Sequence, residues 1–346
     1  MMTSLERALR AIDHQRPDRV PVIPQAHVWA QYAYGSSSDE CMYDGERYAE
    51  VQLQAWQDFG WDGIFVATDS VALAHSLGLE VFFTEIGAAP GPIGILDDLR
   101  GVDSLEIPDP RETRLNAWIT ATRVLAREVG DRVLILARAD QGPFSLAAQL
   151  RGMQEWLLEV GYGTEAEGIH KLLDFCTRYI LAFADLLIDA GAHVVTIGDA
   201  LASGSLISPV TFEQYAFPYQ RRIADAVQAR GSRLSIHVCG NTNRTIGRLA
   251  ETGAHIIEFD DPTDFEGAWQ AAHEKVCLLG NVNTSEIITF GTAAAVTAAC
   301  RARLERVKPE SGYILSSGCA ISSNAPAENL HAMVESAQLY GQYDVG

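Results

Sequence analysis

Eight short apolar runs, many of them β-branched, recur along this chain at strand length, and helix-length amphipathic segments separate most of them. They are Arg19 to Gln25, Gly63 to Asp69, Val133 to Asp140, His193 to Asp199, Arg233 to Cys239, His255 to Asp260, Val276 to Asn281 and Gly312 to Ser317. Strand and helix alternating eight times is the pattern of a closed (β/α)8 barrel. The runs are nearly continuous in apolar character, as parallel strands buried on both faces must be. We therefore expect an α/β fold of one TIM-type (β/α)8 barrel over residues 1–346. Its 47% hydrophobic and 21% charged residues supply a large core.

Two stretches decorate the repeat. Thr3 can cap a first helix, with Glu6 three residues on and Leu5, Leu9 and Ile12 as its apolar stripe. Residues 80–111 carry Gly87, Pro90, Gly91, Pro92 and Gly94 among β-favouring residues, which reads as an inserted hairpin or lid over the barrel mouth.

Charge and cysteine content narrow the function classes. A formal net charge of -19 repels phosphate backbones and anionic lipid, so nucleic-acid and membrane-surface roles are disfavoured. The N-terminus lacks the basic-then-apolar layout of a signal peptide, and no run reaches the length of a membrane span, so a cytoplasmic protein is expected. The six cysteines are sparse and irregular, unlike a secreted disulfide framework. Cys176, Cys277 and Cys300 read as small buried hydrophobes, and Cys41 sits in a polar loop without an assigned role.

In a (β/α)8 barrel, chemistry sits at the carboxyl ends of the strands. Here those ends are rich in polar residues, and His237-Val238-Cys239-Gly240 is the sharpest of them. Residues i and i+2 of a strand share a face, so imidazole and thiol converge while Val238 packs outward. Cys319, in Ser317-Gly318-Cys319 at the end of the eighth run, can supply a third soft ligand across the mouth. One His and two Cys favour zinc, and three protein ligands leave one position open, which marks a catalytic site. The plainer alternative is a buried strand cysteine beside a hydrogen-bonded histidine. Asp69 can serve as an acid/base or orienting group, or equally as a helix N-cap; Asp199 can orient a ligand or cap the chain. His27, His170, His193, His255, His273 and His331 read as structural or surface residues.

Several longer stretches carry a family likeness: ALRAIDHQRPDRVPVIPQ, GDALASGSLISPVTFEQYAFPYQRRI, HVCGNTNRTIGRLAETGA, LLGNVNTSEIITFGT and YILSSGCAISSNAPAENLHAMVESA. Over nearly its whole length the chain resembles the uroporphyrinogen decarboxylase superfamily, and within it the cobalamin-dependent MtaA/CmuA-type methyltransferases. The resemblance implies the same barrel, with zinc on His237, Cys239 and Cys319. It aligns Asp69 with the aspartate that decarboxylase members carry near the second strand. Those members hold substrate carboxylates with arginines in an N-terminal loop. QAHVWAQYAYG from Gln25 to Gly35 has none, and Arg138 is the only arginine read at a strand end, so a carboxy-lyase is disfavoured.

The methyltransferase resemblance implies methyl transfer between a corrinoid, carried as methylcobalamin on a separate corrinoid protein, and a small thiol such as coenzyme M. Zinc would lower the thiol's pKa, with Asp69 and Asp199 positioning substrate. The reverse sense is the alternative: a methylated ether, amine or sulfide gives its methyl group to cob(I)alamin.

Overall fold

The computed structural model describes residues 2–84, 87–163 and 165–343. Seven strands form one parallel sheet in the order β1-β4-β5-β6-β7-β8-β9, with β1 Gly63–Val66, β4 Leu134–Gln141, β5 Val194–Gly198, β6 Arg233–Val238, β7 Ile256–Phe259, β8 Cys277–Val282 and β9 Tyr313–Ser317. Each corresponds to one of the apolar runs, and helices such as Leu115–Val129, Ala166–Asp189, Phe217–Ala229 and Ala293–Val307 supply the crossovers. The order follows the chain without a reversal, so the sheet curls continuously rather than opening at a switch point.

The first run, Arg19 to Gln25, does not form a full strand. Pro21 and Pro24 lack the N–H groups a ladder needs. What pairing remains links the two edge strands: the Ile23 N–H donates to the Leu315 carbonyl, the Leu315 N–H to the Pro21 carbonyl, and the Asp62 N–H to the Val22 carbonyl. The segment thus occupies the eighth position, with two backbone bonds to β9 and one to Asp62 just before β1.

Inward residues of this ring, among them Ile23, Phe65, Leu136, Val194, Ile256, Leu279 and Ile314, cluster with Ala8, Ala11 and Ile12 of the first helix, Ser4–Ile12. That helix closes the amino-terminal end of the barrel, and the Thr3 side chain caps it by accepting from the Glu6 N–H. Asp62, wholly buried, anchors the same end by accepting from Arg7, Arg19 and the Val22 N–H at 2.7–2.8 Å. With that end plugged, the carboxyl ends of the strands are left as the accessible face.

Within residues 80–111, β2 Val81–Thr84 pairs antiparallel with β3 Gly87–Pro90. Residues 85–86 between them lie outside the described residues. Among the described residues no helix is long and apolar enough to cross a membrane.

Candidate metal centre

β6 ends at Val238, so His237 and Cys239 project from its last turn of backbone toward the interior, and Cys319 arrives from just beyond β9. His237 Nε2 lies 3.1 Å from Cys239 Sγ and 3.8 Å from Cys319 Sγ, and the two sulfurs are 4.0 Å apart. All three ligand atoms fall within 4.8 Å of one another. A tetrahedral zinc would hold two sulfurs about 3.8 Å apart and a sulfur and a nitrogen about 3.5 Å apart. The donor set therefore fits such an ion in both chemistry and spacing.

Two glycines make this approach possible. Gly240, directly after Cys239, has φ +72 and a Cβ there would meet Ser205 Oγ at 2.9 Å. Gly318, directly before Cys319, would bring a Cβ to 2.7 Å from Asp260 Oδ1. Asp260 in turn accepts from the Gly240 N–H at 2.8 Å, and the Cys319 N–H donates to Thr284 Oγ1 at 3.1 Å, so both cysteine-bearing turns are tied down.

Protonation follows from crowding. The hydrogen bond between the cysteines holds Cys319 well below the ordinary thiol range and pushes Cys239 above it, because two thiolates side by side in a nearly dry site repel. Burial alone would lower His237, but its hydrogen bond to Cys319 and that residue's charge outweigh the burial and raise it. A divalent cation would relieve the same crowding by replacing the shared protons.

The centre forms part of the wall of a cavity of about 290 Å³ at the carboxyl ends of the strands. Gln25, His27, Thr68, Asp69, Arg138 and Gln141 contribute much of its remaining polar lining. Asp69 lines it with both oxygens engaged: Arg114 donates to them at 2.6 and 2.9 Å, Thr68 Oγ1 at 2.9 Å and the Val71 N–H at 2.9 Å. Asp199 lies behind the lining, wholly buried, where it accepts from the Ser145 N–H at 2.8 Å and Gln220 Nε2 at 2.9 Å. Burial raises its pKa above the usual carboxylate range. The structure thus brings His237, Cys239 and Cys319 together, sets Asp69 at the cavity wall and keeps Asp199 out of it.

Residues not singled out from the sequence complete the site. His27, read as structural or surface, lines the cavity instead, and burial pushes it down to about 3, so its ring is neutral. Glu258 on β7 is wholly buried, accepts from Ser235 Oγ at 2.7 Å and Arg138 Nη2 at 3.1 Å, and stands 3.7 Å from His237 Nδ1. The signal for it was present: a single acid inside the apolar run Ile256-Ile257-Glu258-Phe259, at the period-2 position that faces inward.

The family model for uroporphyrinogen decarboxylase (URO-D) matches residues 3–340. The chain belongs to that family. Similar proteins include the methylcobamide:CoM methyltransferase MtbA of Methanosarcina acetivorans, 29% identical over 98% of each chain. The uroporphyrinogen decarboxylase of Xanthomonas oryzae pv. oryzae is 26% identical over 97% of this chain and 99% of its own. Among solved structures, a methyltransferase from Methanosarcina mazei superposes with a TM-score of 0.87 at 22% identity, covering 98% of this chain and 99% of that one. The curled sheet described above is therefore the TIM-type (β/α)8 fold of this family member.

Proposed function

We propose that this chain transfers a methyl group between a corrinoid and a small thiol, with zinc held by His237, Cys239 and Cys319. The observation that carries the reading is the convergence of one imidazole and two thiols within 4.8 Å at the wall of a strand-end cavity. Similarity to a methylcobamide:CoM methyltransferase supplies the reaction class. When bound, zinc lowers the pKa of a thiol that takes its open position.

The chain's own residues supply the rest. A cavity of about 290 Å³ sits at the lower edge of what holds a drug-sized ligand. It accommodates a small thiol while a corrin macrocycle stays at the mouth, presented by a separate corrinoid protein. The thiol loses its proton to solvent, its sulfur bonds to the methyl carbon, and the carbon–cobalt bond breaks with both electrons left on cobalt. Asp69, fixed by Arg114, positions substrate from the cavity wall. Asp199 acts one layer back, by holding Ser145 and Gln220. The paired strands β2 and β3, which bring Ala88 to the cavity, form a lid that limits water at the mouth. We place the reaction in the cytoplasm, where six free thiols stay reduced.

The test is metal analysis of chelator-free protein together with a spectral assay of methylcobalamin against a panel of thiols. About one zinc per chain and thiol-dependent formation of cob(I)alamin are expected. Full activity without metal would overturn the reading. Methylation of cob(I)alamin by an ether or amine, with every thiol inert, would reverse its direction.

A further inference from the structure

The cavity offers hydrogen-bond donors but little uncompensated charge. Gln25 and Arg138 both line it, at 1% and 9% exposure, and each keeps a buried side-chain nitrogen, Nε2 and Nε respectively, without a partner. Such orphaned donors call for an acceptor. Neutral groups, the Thr68 and Ser70 hydroxyls and the Gln141 amide, stand beside them.

Charge near the cavity is already balanced among the described residues. Arg138, the cationic side chain of the lining, is paired with the buried Glu258 carboxylate. Arg114, behind Asp69, is engaged by both of that residue's oxygens. Zinc with two thiolates carries no net charge, and a substrate thiolate already adds one negative unit. A second anion on the same substrate would be stripped of water beside the lining carboxylate of Asp69, with Arg138 already paired to Glu258 and no surplus cation to meet it. An uncharged oxygen accepts from the same two nitrogens without that penalty.

We infer that the thiol used by this chain carries an uncharged hydrogen-bond acceptor, a hydroxyl or amide oxygen, on the short tail that enters the cavity, with Gln25 and Arg138 as the residues that select it. Thiols with a sulfonate or carboxylate tail are disfavoured. The inference rests on the thiol reading above and separates this chain from the relative named for CoM, a mercaptoethanesulfonate.

Calorimetric titration of the zinc-loaded protein with 2-mercaptoethanol, ethanethiol, 2-mercaptoethanesulfonate and 3-mercaptopropionate decides it. The hydroxyl thiol should bind at least about tenfold more tightly than either anionic one. Gln25→Leu should weaken 2-mercaptoethanol several-fold and leave ethanethiol, which has no tail oxygen, unchanged. Glu258→Gln, which leaves the Arg138 charge unanswered, should move the preference toward the anionic thiols. A wild-type ratio below ten, or equal loss of both uncharged thiols in Gln25→Leu, overturns the inference. If none of the four thiols binds, the thiol reading itself fails.

Discussion

The two sides of the barrel mouth carry polar residues at the same level of the same fold, yet they are built on opposite terms. At the ends of β6 and β9, His237, Cys239 and Cys319 turn their donor atoms toward one another at 3.1–4.0 Å, and His237 Nδ1 makes no hydrogen bond, its nearest acid being Glu258 at 3.7 Å. At the ends of β1, β4 and β5, the carboxylates of Asp69, Asp140 and Asp199 are engaged by the protein: Asp69 by Arg114, Asp140 by the Leu73 N–H at 2.7 Å, Asp199 by Ser145 and Gln220. One side turns soft donors toward a single point, while these three carboxylates hold loops in place, with Asp140 Oδ1 and Arg138 Nε left without hydrogen-bond partners. Polarity at a strand end therefore does not by itself mark a candidate site; soft donors converging on one point do.

The contrast breaks most sharply under substitution of a cysteine. Cys239→Ala or Cys319→Ala should remove the zinc and cost about 100-fold or more in methyl transfer, while circular dichroism stays that of a folded barrel. Retained zinc and rate in either variant would make that cysteine an ordinary thiol and erase the distinction between the two sides.

On the opposite side the expected pattern inverts. Asp69→Ala strands the Arg114 guanidinium, 2% exposed at its side chain, and should cost about 3–5 kcal/mol of stability with zinc content unchanged. Denaturant unfolding and metal analysis of the same sample read both halves. A loss of zinc comparable to that of the cysteine variants would show that the two sides are one unit.

A smaller effect sharpens the comparison through pH. Burial, reinforced by the Asp69 charge, raises Asp140 to about 7. The folded carboxyl takes up its proton near pH 7 and the unfolded one only near pH ~4, so the native state gains stability as pH falls through 7 and gains no more below about 4. Asp140→Asn should therefore be more stable than the wild type at pH 8, by roughly 1–3 kcal/mol, with the gap narrowing by pH 5. Asparagine also tolerates the backbone here, where φ is +60. Equal pH profiles for the two proteins would remove Asp140 from the account.

How much of this was legible beforehand differs by residue. The seven strands lie where the apolar runs placed them, and the first run departs from strand form at its prolines, which the sequence displayed but periodicity does not weigh. His237 and Cys239 were readable because i and i+2 on a strand share a face regardless of what surrounds them. Cys319 needed the added premise of a closed barrel, since 80 residues separate it from Cys239. His27 escaped because nothing local distinguishes a histidine at a cavity wall from one on a surface.

The sequence by itself determined the alternation that makes a barrel and the pairing of His237 with Cys239 on one face of a strand, since each depends on short-range period and residue type. Only the tertiary structure decided which carboxylates are already engaged. Arg114 meets Asp69 across 45 residues and Arg138 meets Glu258 across 120, and such partners are chosen by the packing of distant strands and helices, a relation no local pattern encodes. The charge balance around the cavity is set by those long-range pairs.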